Sequence, residues 1–159
     1  MAMHTWFECK IRYEKVMENG MQKKVTEPYL VDALSFTEAE ARIIEEMTPF
    51  ISGEFTVSDI KRANYSELFP SDEESADRWF KCKLIFITLD EKSGAEKKTS
   101  TQVLVQAADL RDAVKKLDEG MKGTMADYQI GMVSETPLMD VYPYSAEPND
   151  KPEFDPSIA

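Results

Sequence analysis

The chemistry available to this chain is concentrated in two tryptophan–cation runs. Trp6 precedes Lys10 and Arg12, and Trp79 precedes Lys81 and Lys83, each at even spacing. In a strand, such residues share one face, because side chains alternate with a period of two. An indole beside cations on an open sheet can stack a base or nucleotide and hold its phosphate. The structural reading competes with this: tryptophans closing a core at strand ends, with lysines solvating the sheet. Asp32 and Asp59 complete the candidate contacts. Both break an internal symmetry of the sequence, in which Asp32 corresponds to Gln106.

Other chemistries have weaker support. Asp32, Asp59 and Asp90 are the carboxylates that an enzyme acting on nucleotides or nucleic acid through Mg²⁺ would use, but nothing in the sequence clusters them. The lone histidine is His4, and no Gly-rich phosphate loop, nucleophile elbow or Cys-x-x-Cys pair is present. Cys9 and Cys82 lack zinc-ligand spacing and read as buried, reduced core residues; a disulfide between them is the alternative if their strands are neighbours. No catalytic residue, metal or cofactor is assigned. The pairs Lys23-Lys24 and Lys97-Lys98 fit edge-strand protection better than phosphate binding.

The elements that must position these residues are written twice. Trp6-Phe7-Glu8-Cys9-Lys10-Ile11 returns as Trp79-Phe80-Lys81-Cys82-Lys83-Leu84, and Glu67-Leu68-Phe69-Pro70 as Asp140-Val141-Tyr142-Pro143. The offset is 73 residues at the tryptophans, 74 through the helix and 73 at the prolines. Alternation over 6–16 and 79–89 predicts half-buried strands, each turning at a glycine (Gly20, Gly94) into a second strand. Pro28 predicts an edge or bulge. Ser35-Phe36-Thr37-Glu38 is a capping box, for which Asp109 and Asp112 substitute in the second copy. Ala39, Ile43 and Met47, then Ala113, Leu117 and Met121, form the apolar helix stripes. Ile85, Ile87 and Leu89 make the second copy's first strand apolar on both faces, which places it centrally or under a partner.

Of the chain's 159 residues, 42% are hydrophobic and 31% charged, as in a soluble globular protein. Each half would be marginal alone, which favours a shared core. The net charge is −11, of which −7 falls in residues 71–77 and 145–159. Acidity in a linker and a tail keeps them solvated and argues weakly against nucleic-acid binding. No secretory h-region or membrane-length apolar run is present, so a cytoplasmic protein without a membrane partner is expected.

The run Lys23-Lys24-Val25-Thr26-Glu27, then Tyr29 to Arg42, Ile51-Ser52-Gly53-Glu54-Phe55, Arg78-Trp79-Phe80-Lys81 and Asp140 to Tyr144, resembles the domain of unknown function numbered 4494. That family occurs in gut Bacteroidetes and their phages. The resemblance implies a lineage and a mobile-element context, and it assigns no site residue.

The expected fold is α+β: an internally duplicated ββαβ unit forming one pseudo-twofold domain, with a mainly antiparallel sheet and two helices. A closed six-stranded barrel is the alternative. The expected division is a first repeat at 5–70, an acidic linker at 71–77, a second repeat at 78–144 and a flexible acidic tail at 145–159. The expected function is non-catalytic: a binding or interaction protein, such as a phage-associated inhibitor or nucleotide sponge. A Mg-dependent enzyme and a structural subunit are the alternatives. The partner would be a small ligand or a protein, with homo-oligomerisation open.

Overall fold

The computed structural model describes residues 5–143. His4, Tyr144 and the expected tail at 145–159 lie outside them. The chain runs β1 (Trp6–Val16), β2 (Gln22–Asp32), α1 (Phe36–Met47), β3 (Phe55–Ala63), β4 (Glu67–Phe69), β5 (Arg78–Leu89), β6 (Glu96–Ala107), α2 (Leu110–Gly120), β7 (Asp127–Glu135) and β8 (Val141–Tyr142). No helix among the described residues is long and apolar enough to cross a membrane. The chain forms two compact units, residues 5–63 with 138–143 and residues 64–137.

The first unit is a four-stranded sheet in the order β3-β1-β2-β8. β1 and β2 pair antiparallel from Trp6↔Asp32 to Val16↔Gln22. The hairpin closes at Gly20, whose φ of 82° suits a residue without Cβ. β3 adds antiparallel to β1, and the two-residue β8 adds parallel to β2. Pro28 is tolerated because its carbonyl faces the outer edge of β2, where it accepts from the Met139 N–H at 2.9 Å; the missing N–H falls on that same side. Helix α1 covers one face, packing Ala39, Ile43 and Met47 on Phe7, Cys9, Ile11 and Val31. Burying the larger of these side chains, Phe7, Ile11, Val31, Ile43 and Met47, stabilises by about 1.5–3 kcal/mol each.

The first turn of α1 follows from its capping residues. Ser35 Oγ accepts from the Glu38 N–H at 3.1 Å, and Glu38 Oε1 accepts from the Leu34 N–H at 2.8 Å. The second unit reproduces the reciprocal pair with other residues: Asp109 Oδ1 accepts from the Asp112 N–H at 2.8 Å, and Asp112 Oδ2 from the Ala108 N–H at 2.9 Å.

That second unit has the order β4-β6-β5-β7. Here β5 and β6 form the hairpin, β7 pairs antiparallel with β5, and β4 pairs parallel with β6. Phe80, Cys82, Leu84, Val103 and Val105 meet Ala113 and Leu117 of α2 in its core. The register of the third strand shifts between Lys10 and Ile11 in the first unit and between Lys83 and Leu84 in the second, the same point of the repeated sequence.

The protein is α+β, as expected, but its strands form two sheets rather than one. In each hairpin one edge is occupied by a long antiparallel strand and the other by a short parallel one, so no ladder joins the hairpins. The stretch read as an acidic linker belongs to the second unit. Within it, the Ser71 N–H donates to Gln106 Oε1 at 2.9 Å and Ala76 is buried. Ile85 and Ile87 are half-buried on the central strand β5, whereas Leu89 at its end is 66% exposed.

Candidate ligand-binding face

Residues paired across a ladder share a face. Trp6 pairs with Asp32, Lys10 with Pro28 and Asp59, and Arg12 with Thr26 and Thr56. The five candidates of the first unit, Trp6, Lys10, Arg12, Asp32 and Asp59, therefore stand together on the sheet face opposite Phe7, Cys9 and Ile11. The structure grades them by burial. Trp6 is 3% exposed and Asp32 5%, Lys10 is half-buried, and Arg12 and Asp59 are exposed. An indole so covered offers little ring area for stacking. Asp32 Oδ1 accepts from the Thr5 N–H at 3.2 Å, so this carboxylate tethers the chain entering β1.

The exposed end of this face opens into a groove of about 640 Å³, lined among others by Arg12, Tyr13, Glu14, Lys24, Glu54 and Phe55. Its origin is a mismatch of strand lengths. β3 begins at Phe55, opposite Tyr13, whereas the hairpin continues to the Val16↔Gln22 pair. The connection through Ser52 and Gly53 stands beside the overhang and walls the groove. Its volume lies in the range of small-ligand sites. Arg12 and Lys24 supply cations, and Glu14 and Glu54 carboxylates.

Behind Tyr13 lies a polar cluster. The Tyr13 hydroxyl donates to Glu27 Oε1 at 2.8 Å and the Tyr29 hydroxyl to the same oxygen at 3.3 Å, while Lys15 Nζ stands 3.6 Å from Glu27 Oε2. Tyr29 stacks on Tyr142 of β8 with ring centroids 6.2 Å apart. Burial, then the Glu27 hydrogen bond, pushes the Tyr13 phenol up to about 12. Tyr29 is raised further, first by burial and then by the Glu27 charge. Tyr142 is pushed up to about 12 by burial, with Asp140 and Glu46 adding to it. Both thiols are unpaired and buried. Burial raises Cys9 to about 12, helped by Glu8 and Asp59, and Cys82 to about 11. These groups are held in their neutral, non-nucleophilic forms.

The second unit places its candidates differently. Trp79 is 5% exposed, and Lys81 and Lys83 are half-buried on the corresponding face. Lys83 borders a smaller polar pocket of about 280 Å³ with Asn64, Ser100, Thr101 and Gln102. Where the first unit carries Arg12 and Glu14, this one carries Ile85 and Ile87, so that end of its face is apolar. The Asp90 carboxyl is held below the usual range, chiefly by the Lys92 N–H, which donates to it at 3.0 Å across a hairpin turn. Among the described residues, no three His, Cys, Asp or Glu side chains are placed to hold a metal ion. Asp32 and Asp59 belong to the first unit and Asp90 to the second.

Lys24 was read as edge-strand protection, and reading single motifs missed Glu54 and the Tyr13–Glu27–Tyr29–Tyr142 cluster. The usable signal was the difference between the halves. The matching registers put Phe86, Thr101, Val103 and Phe69 where the first unit has Tyr13, Glu27, Tyr29 and Tyr142. One half keeps hydroxyls and a carboxylate, and the other has three hydrocarbons and a threonine.

A family model described as a domain of unknown function (DUF4494) matches residues 5–144. No curated protein and no solved structure matches the chain.

Proposed function

The chain belongs to the DUF4494 family, and we propose that it is a non-catalytic binding protein whose ligand occupies the groove of the first unit. The observation carrying this reading is an open groove that Arg12 and Lys24 line together with Tyr13, whose phenol is kept in neutral form. Arg12 and Lys24 stand on one sheet face, beside Glu14 and Glu54, with Tyr13 and Phe55 on the other side of the same edge groove. From these groups we take a ligand with an anionic part and a flat ring, with a nucleotide as the concrete candidate. A cytoplasmic nucleotide sponge or inhibitor carried by a phage or mobile element is the role that fits such a site.

We read the scaffold as a duplicated ββαβ unit. The repeated sequence, the common strand order and the bulge at the same position support that reading. On it, the second unit retains the scaffold and the first carries the ligand.

Calorimetric titration of the full chain with a panel of mono- and dinucleotides tests the assignment. Binding is expected, weakened about tenfold or more by Arg12→Ala with Lys24→Ala, since each charged hydrogen bond contributes about 1.5–3 kcal/mol. No heat from any nucleotide, or unchanged affinity in the double variant, rejects it.

A further inference from the structure

Each sequence repeat ends on the same pattern, acid–aliphatic–aromatic–proline: Glu67-Leu68-Phe69-Pro70 and Asp140-Val141-Tyr142-Pro143. Neither segment lies in the unit that holds the rest of its repeat. β4 follows β3 in sequence yet belongs to the second unit, and β8 follows β7 yet belongs to the first.

The two seats correspond in strand register. β8 pairs parallel with β2 at Leu30↔Val141 and Val31↔Tyr142, and β4 pairs parallel with β6 at Leu68↔Leu104 and Phe69↔Val105. Upstream of β8 the Met139 N–H donates to the Pro28 carbonyl at 2.9 Å, and upstream of β4 the Ser66 N–H donates to the Gln102 carbonyl at 2.8 Å. These are the same two positions of the repeat. Downstream, a helix cation holds the exit of the segment. Arg42 of α1 donates to the Pro143 carbonyl at 3.3 Å. Lys116 of α2, at the matching helical position, donates to Ser71 Oγ at 3.1 Å and pairs with Glu73 at 3.0 Å. The aromatic residue fills the last place: Phe69 lies so close to Gly120 that a Cβ there would meet its ring at 2.9 Å, and Tyr142 stacks on Tyr29.

We propose that the edge of β2 with Arg42, and the edge of β6 with Lys116, are two forms of one recognition site for an acid–aliphatic–aromatic–proline segment in parallel register. The partner for which this site is built is another copy of the repeat, and within the chain the two repeats fill each other's sites reciprocally. Backbone pairing supplies the general affinity, and the aliphatic and aromatic pockets supply the selectivity, as in strand-addition recognition.

Severing the connection between β4 and β5 therefore leaves two fragments that each need the other. Residues 1–74 carry β1, β2, α1 and β3 with the closing strand of the second unit. Residues 75–159 carry β5, β6, α2 and β7 with the closing strand of the first. The test is a protease site inserted after Glu74, within the exposed stretch 72–75, and cleavage of the folded full chain. Native mass spectrometry and size exclusion are expected to show a 1:1 complex of the fragments. Leu68→Ser with Val141→Ser, which remove the aliphatic residues, are expected to raise the dissociation constant of the cut complex about tenfold or more. Fragments that separate after cleavage overturn the proposal. So does a cut complex whose dissociation constant the double variant leaves unchanged, because other surfaces would then hold it. Should the double variant unfold before cleavage, Arg42→Gln takes its place, and an unchanged dissociation constant in that variant counts equally against the proposal.

Discussion

The hydroxyl of Tyr13 on β1 donates to Glu27 on β2 at 2.8 Å, spanning the two strands directly behind the groove. It is a diagonal contact, since Tyr13 pairs with Val25 and Glu27 with Ile11. The register thus lets a long aromatic side chain brace the floor on which Arg12 and Lys24 stand.

Tyr13→Phe removes this bond and leaves Glu27 with Tyr29 and Lys15. Because the carboxylate keeps two partners, the expected loss is that of one hydrogen bond, about 0.5–1.5 kcal/mol. Urea unfolding of the variant beside the parent checks it, and an unchanged midpoint would show that the brace contributes nothing.

The phenols set an alkaline limit to stability. Tyr13 and Tyr142 are raised from 10.0 to about 12 in the folded protein. A raised pKa means that the folded state holds the proton more tightly. The contribution is therefore complete below pH 10 and is lost progressively as the pH rises from 10 to 12. Phenolate absorbance is expected to rise late, in step with unfolding, and to shift to lower pH in the denatured chain. Coincident titration curves for the native and denatured chain would contradict the burial of these rings.

The thiols are expected to be silent. Cys9 and Cys82 are fully buried, and burial raises both. A thiol reagent at neutral pH should label neither cysteine in the native protein and both in denaturant. Rapid native labelling of either would show that its unit opens readily.

Gly120 sets two effects against each other. Alanine gains helix propensity, at most about 1 kcal/mol and less at a final turn, but its Cβ would meet the Phe69 ring at 2.9 Å. Overpacking of this kind costs about 1–3 kcal/mol, so Gly120→Ala is expected to be destabilising. Introduced into a Phe69→Ala background, the same change should be neutral or stabilising. Thermal melts of the four proteins in this cycle measure the coupling directly.

Local features were legible in the sequence because they are written locally. The hairpins follow from alternation and a glycine turn, the helices from Ser35 and Asp109, and the shared face of Trp6, Lys10 and Arg12 from parity. What covers a face is not a property of parity: the burial of Trp6 was one of the two readings its residue type offered, and that of Asp32 was not legible. The short strands were visible as a repeated four-residue pattern, but two or three residues carry no periodicity that names a pairing partner. Their destinations separated one expected sheet into two. The tyrosine cluster needed both the β1–β2 register and the arrival of Tyr142 from the far end of the chain.

The discontinuity of the first unit has a consequence in time. Its hairpin, helix and β3 are complete by Ala63, but its last strand begins at Val141, beyond all of the second unit. At about 5–20 residues per second of synthesis, the outer edge of β2 waits roughly 4–16 s after β3 is made for its closing strand. On the ribosome, the part of the protein made first is the part finished last. Throughout that interval the nascent chain displays an unfilled strand edge, while the second unit, whose own closing strand is made before its hairpin, can fold without delay.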